Sequence, residues 1–260
     1  MIAVENLHMH FGGIRAVDGA SLTIERGSIT GLIGPNGAGK TTLFNVVAGV
    51  HKPTSGRVYL EGEDVTGLTP HELFAKGVLR TFQIAHEFST LTVRENLMTV
   101  PAGQSGEDLL DVWFRPGKIR AQEDAIGARA DEVIEFLNLE PVAGELAGNL
   151  SGGQKKLLEL GRTMMAEPRV VLLDEVGAGV NRTLLKDIAG AILRLNLHHG
   201  YTFCIIEHDM ELISLLCDPV IVMTNGTVLT QGPAPVVQSD ERVIEAYLGR
   251  GLVTRRERTA

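Results

Sequence analysis

The stretch Gly34-Pro35-Asn36-Gly37-Ala38-Gly39-Lys40-Thr41-Thr42 satisfies G-x-x-x-x-G-K-[ST] at every required position. Glycines let a backbone wrap closely around a polyphosphate, so that successive N–H groups and a helix N-terminus face anionic oxygens. In such a loop Lys40 sits on the outer phosphates and the Thr41 hydroxyl on a magnesium ion. Two acids, Asp174 and Glu175, close an apolar run at Val170-Val171-Leu172-Leu173. A carboxylate in the first position can hold magnesium, and one in the second can polarise an attacking water. His208 follows Ile205-Ile206-Glu207, and Gln83 follows Leu79-Arg80-Thr81-Phe82. Taken singly these are ordinary polar residues at strand ends. In an open α/β sheet, strand ends are where functional groups collect.

The elements that position them read as follows. Ser28 to Ile33 is a buried strand before the loop, and Leu43 to Ala48 begins the helix behind it. Residues 2 to 11 alternate loosely as an edge strand that stops at Gly12-Gly13, with a second strand over Ala20 to Ile24. Arg57 to Glu61 is a short strand closed by Gly62. Thr69-Pro70-His71-Glu72 and Thr92-Val93-Arg94-Glu95 each combine a cap with an acid three residues on, so each starts a helix. Val78 to Gln83 is a strand.

Periodicity lapses from about 101 to 118, a loop or insertion whose aromatics Trp113 and Phe114 tuck against the surface. It returns as a helix over 119–138. Leu150-Ser151-Gly152-Gly153-Gln154 opens another helix to about Ala166, so 86–165 forms a helical subdomain inserted in a β-bearing chain. From Arg169 on, strand, helix (183–198) and strand (201–206) alternate, which points to a parallel sheet. Asn225-Gly226 marks a hairpin, and a last helix near 242–248 precedes a basic tail, Arg250 to Arg258, within a C-terminal region of about 240–260.

At 260 residues and 44% hydrophobic content the chain can bury a large α/β core, and its net charge of −8 argues against a nucleic-acid-coating protein. Cys204 and Cys217 lie in apolar surroundings without CxxC spacing, as buried free thiols of a reducing compartment do. The N-terminus has neither the basic nor the apolar region of a signal peptide, and no apolar run approaches the ~20 residues that span a bilayer. Any membrane role comes through a partner.

In order, the chain presents an aromatic near its start (Phe11), the phosphate loop, Gln83, LSGGQ at 150–154, the acidic strand end, Ala178-Gly179-Val180-Asn181 and His208. Over nearly its whole length it thereby resembles the ATP-binding-cassette ATPases. The resemblance implies a P-loop NTPase (RecA-like) core with an N-terminal antiparallel β subdomain and an inserted α-helical signature subdomain. It implies ATP and Mg2+ as cofactors, with Phe11 stacking on adenine, Gly34, Pro35, Asn36, Gly37, Ala38, Gly39, Lys40, Thr41 and Thr42 around the phosphates, and Thr41, Gln83 and Asp174 near the metal. Glu175 would be the general base, His208 would bind the γ-phosphate, and Gln83 would contact magnesium or the attacking water. Ser151, Gly152, Gly153 and Gln154 would complete the ATP site of an opposite subunit, so that two such domains work head to tail.

Val176 stands where the family usually has Pro, and Asn181 where most members have Asp. That Asn, together with Phe11-Gly12-Gly13, Arg80-Thr81-Phe82-Gln83, Ile206 to Met210 and Val243 to Gly249, resembles the branch that powers branched-chain amino acid importers. Urea or amide importers are its rivals, and a soluble ATP-gated scaffold or a non-hydrolysing subunit are alternatives of other classes. The importer reading implies integral membrane permeases, a second ATPase subunit, no nucleic acid, and a peripheral place on the cytoplasmic face of the inner membrane.

Overall fold

A computed structural model describes residues 1–81, 87–107 and 113–248. The chain divides into two compact units: Met1–Arg80, Arg169–Gly177 and Ile192–Ala260 form the first, Thr81–Pro168 and Ala178–Ala191 the second, in each case the described residues of those ranges.

The first unit holds two sheets. Strands β1 (Ile2–Phe11), β2 (Ile14–Ile24), β4 (Ser55–Leu60) and β5 (Glu63–Asp64) make an antiparallel sheet in the order β2-β1-β4-β5. β1 is therefore an interior strand, paired on both sides, and not the edge strand that its loose alternation suggests. Alternation reports one buried face, here Ile2, Val4, Leu7 and Met9, and carries no information about how many neighbours a strand has. β2 starts six residues earlier than expected, because Gly12 at φ +58 turns the chain straight back after Phe11 and pairs it with Ile14.

The second sheet has six strands in the order β10-β9-β3-β8-β7-β6, from β3 (Ile29–Ile33), β6 (Val78–Arg80), β7 (Val170–Asp174), β8 (Thr202–Ile206), β9 (Val220–Thr224) and β10 (Thr227–Gly232). All its pairings are parallel except β9 with β10. β3, β7 and β8 are buried at every position, as strands covered on both faces must be. Asn225 at φ +49 and Gly226 at φ +77 make the β9–β10 hairpin turn, the left-handed pair that an Asn-Gly signal demands. Helix α1 (Lys40–Val47) buries Leu43, Phe44, Val46 and Val47 in the core.

Both cysteines are buried free thiols, as expected. Burial pushes the Cys204 thiol far up, and burial together with the Glu207 charge pushes Cys217 up to about 12. Neither supplies thiolate near neutrality. Iodoacetamide at about pH 8 should leave both unlabelled in the native protein and label both in denaturant. Native labelling of either, read by peptide mass, would contradict this packing.

Helices α2 (Pro70–Ala75), in the first unit, and α3 (Val93–Met98), in the second, carry the full reciprocal capping boxes of Thr69 with Glu72 and Thr92 with Glu95. In the second unit, α3 packs with α4 (Pro116–Phe136) and α5 (Gly152–Met165) through Val93, Leu97, Ala130, Val133, Ile134, Leu157, Leu158 and Met164. Gly161 is where these helices approach closely: a Cβ there would meet Leu137, Leu97 and Val133 at 3.0–3.2 Å. Asn96, fully buried, donates to the carbonyls of Phe88, Leu91 and Thr92 and accepts from the Phe88 N–H, pinning the loop ahead of α3. Trp113 and Phe114 are 80% and 76% exposed. They do not tuck against the surface: α4 begins at Pro116, two residues on, and among the described residues both rings stay exposed. Helix α6 (Arg182–His199) contributes residues to both units. In the first unit the chain closes through α7 (Met210–Leu216), α8 (Ala234–Ser239) and α9 (Glu241–Leu248). The basic tail lies outside the described residues.

Candidate active site

The phosphate loop leaves β3 and enters α1 through backbone that only glycine adopts easily. Gly34, Gly37 and Gly39 have φ of +147, +79 and +98. At Gly34 a Cβ would stand 2.1 Å from the Met223 carbonyl oxygen, and at Gly39 2.4 Å from that of Ala16, so both conformation and space exclude a side chain. Gly37 meets nothing within 4 Å, and its requirement is conformational alone. The loop is braced from behind: the Gly226 N–H donates to Ala38 O at 3.0 Å while Gly226 O accepts from the Asp18 N–H at 2.9 Å. From α9, Tyr247 faces the Gly34 backbone, and its partial burial raises the phenol's pKa against that contact.

Lys40 is buried, and its Nζ donates to Gly34 O at 2.8 Å and Pro35 O at 3.2 Å. Burial lowers the pKa of this ammonium, and the charges of Glu175 and Asp174 act against that shift. Asn36, Gly37 and Thr41 are exposed. A buried cation, exposed loop residues and an exposed hydroxyl at a helix start thus stand together along the loop from Gly34 to Thr41.

β7 delivers Asp174 to the same edge of the sheet, almost fully buried, where its Oδ2 accepts from Arg80 Nη2 at 2.9 Å. Arg80 Nη1 donates to Asn45 Oδ1 on α1, so one guanidinium ties the strand end to the helix behind the loop. Glu175 leaves the strand in the left-handed region at φ +53, a conformation that costs a non-glycine residue about 1–2 kcal/mol. The twist brings its Oε1 to 3.1 Å from His208 Nε2. Glu207, 4% exposed, accepts from the Gly177 N–H at 2.6 Å and the His208 N–H at 3.1 Å. Burial raises its pKa against those hydrogen bonds. One carboxylate therefore holds both the turn after Glu175 and the backbone of His208.

The structure thus brings Lys40, Asp174, Glu175 and His208 together, and adds Arg80, Glu207, Gly226 and Tyr247, which the sequence reading had not assigned to the site. The available signals were an arginine inside a strand and a glutamate at the end of a wholly apolar strand. The donor set fits a nucleotide with magnesium: a hydroxyl and a carboxylate are oxygen ligands of the kind that ion takes, and the loop glycines adopt backbone that lets successive amides face one anion.

Phe11 is 45% exposed at the tip of the β1–β2 hairpin and meets His51 edge to face at 5.4 Å between ring centroids. Gln83 lies outside the described residues. Ser151, Gly152, Gly153 and Gln154 belong to the second unit. There Ser151 caps α5 in a capping box with Gln154, with Ser151 and Gly152 exposed. Gly153 lies against Leu184, since a Cβ there would fall 1.6 Å from Leu184 Cδ2. The Asn181 carboxamide accepts from the Leu184 N–H at 3.0 Å, inside its own helix start.

A family model described as "ABC transporter" matches residues 17–178, and one described as "Branched-chain amino acid ATP-binding cassette transporter" matches residues 227–252. The chain is 38% identical to the high-affinity branched-chain amino acid transport ATP-binding protein BraF of Pseudomonas aeruginosa, over 96% of this chain and 98% of that one. It is 39% identical to the probable branched-chain amino acid transport ATP-binding protein LivG of Methanocaldococcus jannaschii, over 96% and 97%. It superposes with a TM-score of 0.81 and 38% identity on the ADP conformation of MJ1267, an ATP-binding cassette of an ABC transporter, covering 96% of this chain and 99% of that one.

Proposed function

The chain belongs to the ABC transporter family of ATP-binding cassettes, and on that footing we propose that it is the ATP-hydrolysing subunit of an importer for branched-chain, hydrophobic amino acids. The observation that carries the reading is the placement, in one compact unit, of a buried Lys40 on its glycine loop and of Glu175 against His208 at neighbouring strand ends.

In this reading the loop amides from Gly34 to Thr42 and the Lys40 ammonium bind the phosphates of ATP, and Phe11 stacks on the adenine. Thr41 and Asp174 hold magnesium, which when bound offsets phosphate charge. Glu175 takes the proton of the attacking water, with His208 fixing the carboxylate and facing the terminal phosphate. Glu207 keeps Glu175 and His208 in register by holding the backbone of both segments. The second unit is the helical signature subdomain, whose Ser151 to Gln154 segment offers an exposed helix start to the nucleotide of a second cassette.

A head-to-tail pair of cassettes on two membrane permeases then converts the cycle into import. Among the described residues no helix is long and apolar enough to cross a membrane. We therefore place the subunit peripherally on the cytoplasmic face, held there by the permeases.

The test is purification of the tagged chain from gently solubilised native membranes, followed by leucine uptake in cells. Two polytopic permeases should co-purify, and Lys40→Met should abolish uptake. Loss of one charge-assisted contact, about 1.5–3 kcal/mol, should lower ATP affinity about 10–100-fold in the same variant. Recovery of soluble partners alone, or uptake unaffected by Lys40→Met, would overturn the importer reading.

A further inference from the structure

The four-stranded sheet carries a polar cluster that the nucleotide site does not use. His8 and His10 are two apart on β1 and project from the face opposite Leu7 and Met9, which are buried in the core. Asp18 on β2 is the cross-strand partner of His8. The β1–β2 ladder shifts register between Leu7 and His8 and again between Met9 and His10. Irregularities of this kind bend a strand and re-aim its side chains.

Here they turn both rings onto one carboxylate oxygen. His8 Nδ1 lies 3.0 Å and His10 Nε2 3.9 Å from Asp18 Oδ1, and one ligand atom from each of the three residues lies within 4.8 Å of the others. Donors held at about 2.0–2.1 Å around a tetrahedral zinc stand about 3.4 Å apart, between those two separations. His10 Nε2 is shut off from solvent and has no hydrogen-bond partner among the described residues, a state buried ring nitrogens rarely keep. Arg15 Nη1 donates to the other carboxylate oxygen, Oδ2, at 3.3 Å. That contact orients Oδ1 towards the rings, as outer partners orient metal-ligating carboxylates.

We propose that His8, His10 and Asp18 form a site for a divalent transition-metal ion of the zinc class, separate from any magnesium at the phosphate loop. Two imidazole nitrogens select zinc, nickel or copper(II), whereas magnesium keeps oxygen ligands. The ion ties β1 to β2 next to the turn that carries Phe11, and so stiffens that hairpin.

The test uses the full chain, stripped with chelator and titrated calorimetrically with Zn2+ in a large excess of Mg2+. One saturating ion per chain is expected, with affinity lowered about 10–100-fold in His8→Ala and in His10→Ala. It should stay unchanged in a variant with His198→Ala and His199→Ala, which removes the adjacent pair at the end of α6. Diethyl pyrocarbonate labelling of the wild-type chain, read by peptide mass, supplies the answer without variants: Zn2+ should protect His8 and His10. Absence of saturable binding, displacement by Mg2+, or protection confined to other histidines would each overturn the site.

Discussion

Glu175→Gln is expected to lower ATP turnover by about 10²–10⁴-fold while leaving nucleotide affinity within a few-fold of the native value. The substitution preserves volume and backbone, so the left-handed turn at φ +53 and the bond from the Glu175 N–H to Ile206 O at 2.9 Å survive. An amide oxygen can still accept from His208, but an amide does not take up a proton near neutral pH. In the proposed reading binding rests on other groups: Lys40, the loop amides and the exposed Thr41. Phosphate release and binding of a fluorescent nucleotide, measured on one preparation, separate the two. The variant should accumulate ATP-bound dimers in sedimentation experiments, because hydrolysis is what would release the pair. Turnover equal to wild type would remove Glu175 from the mechanism. Loss of both binding and turnover would mean that the turn itself had collapsed.

The features read correctly from sequence are those whose physical cause lies within a few residues. The capping boxes at Thr69 and Thr92 close over three positions, and the Asn225-Gly226 turn and the phosphate loop are set by glycine conformations in the loops themselves. The apolar run Val170 to Leu173 and the strand–helix–strand alternation after it pointed to the parallel sheet, which the pairing of β7 with β8 bears out. What escaped depends on distance along the chain. Arg80 meets Asp174 across 94 positions and Glu207 meets Gly177 across 30, and no local pattern pairs such groups. The interior place of β1 escaped for the same reason, since its second neighbour arrives only after the phosphate-loop helix. Trp113 and Phe114 failed differently: the expectation that large rings find cover is a tendency, and among the described residues both stay largely exposed.

The Arg80–Asp174 pair carries the second large effect. Arg80→Met should destabilise the protein by about 3–5 kcal/mol, because it leaves a buried carboxylate without its partner. Asp174 and Arg80 side chains are 4% and 14% exposed, so water does little to replace the lost charge. Lys40 also lies close enough to act on Asp174, and it is already shared with Glu175. Two acids would then face one desolvated ammonium. Arg80→Lys should recover only part of the loss, since an ammonium can meet Asp174 but lacks the planar fork that also reaches Asn45. Combining Arg80→Met with Asp174→Asn should restore most of the stability, by removing the orphaned charge, while turnover should stay low if Asp174 is the proposed magnesium ligand. Urea midpoints for the single and double variants, set beside their ATPase rates, decide the matter. An Arg80→Met midpoint equal to wild type would show that the pair contributes nothing to the fold. A double variant no more stable than Arg80→Met would show that the loss comes from packing around the guanidinium stem and not from the carboxylate it leaves behind.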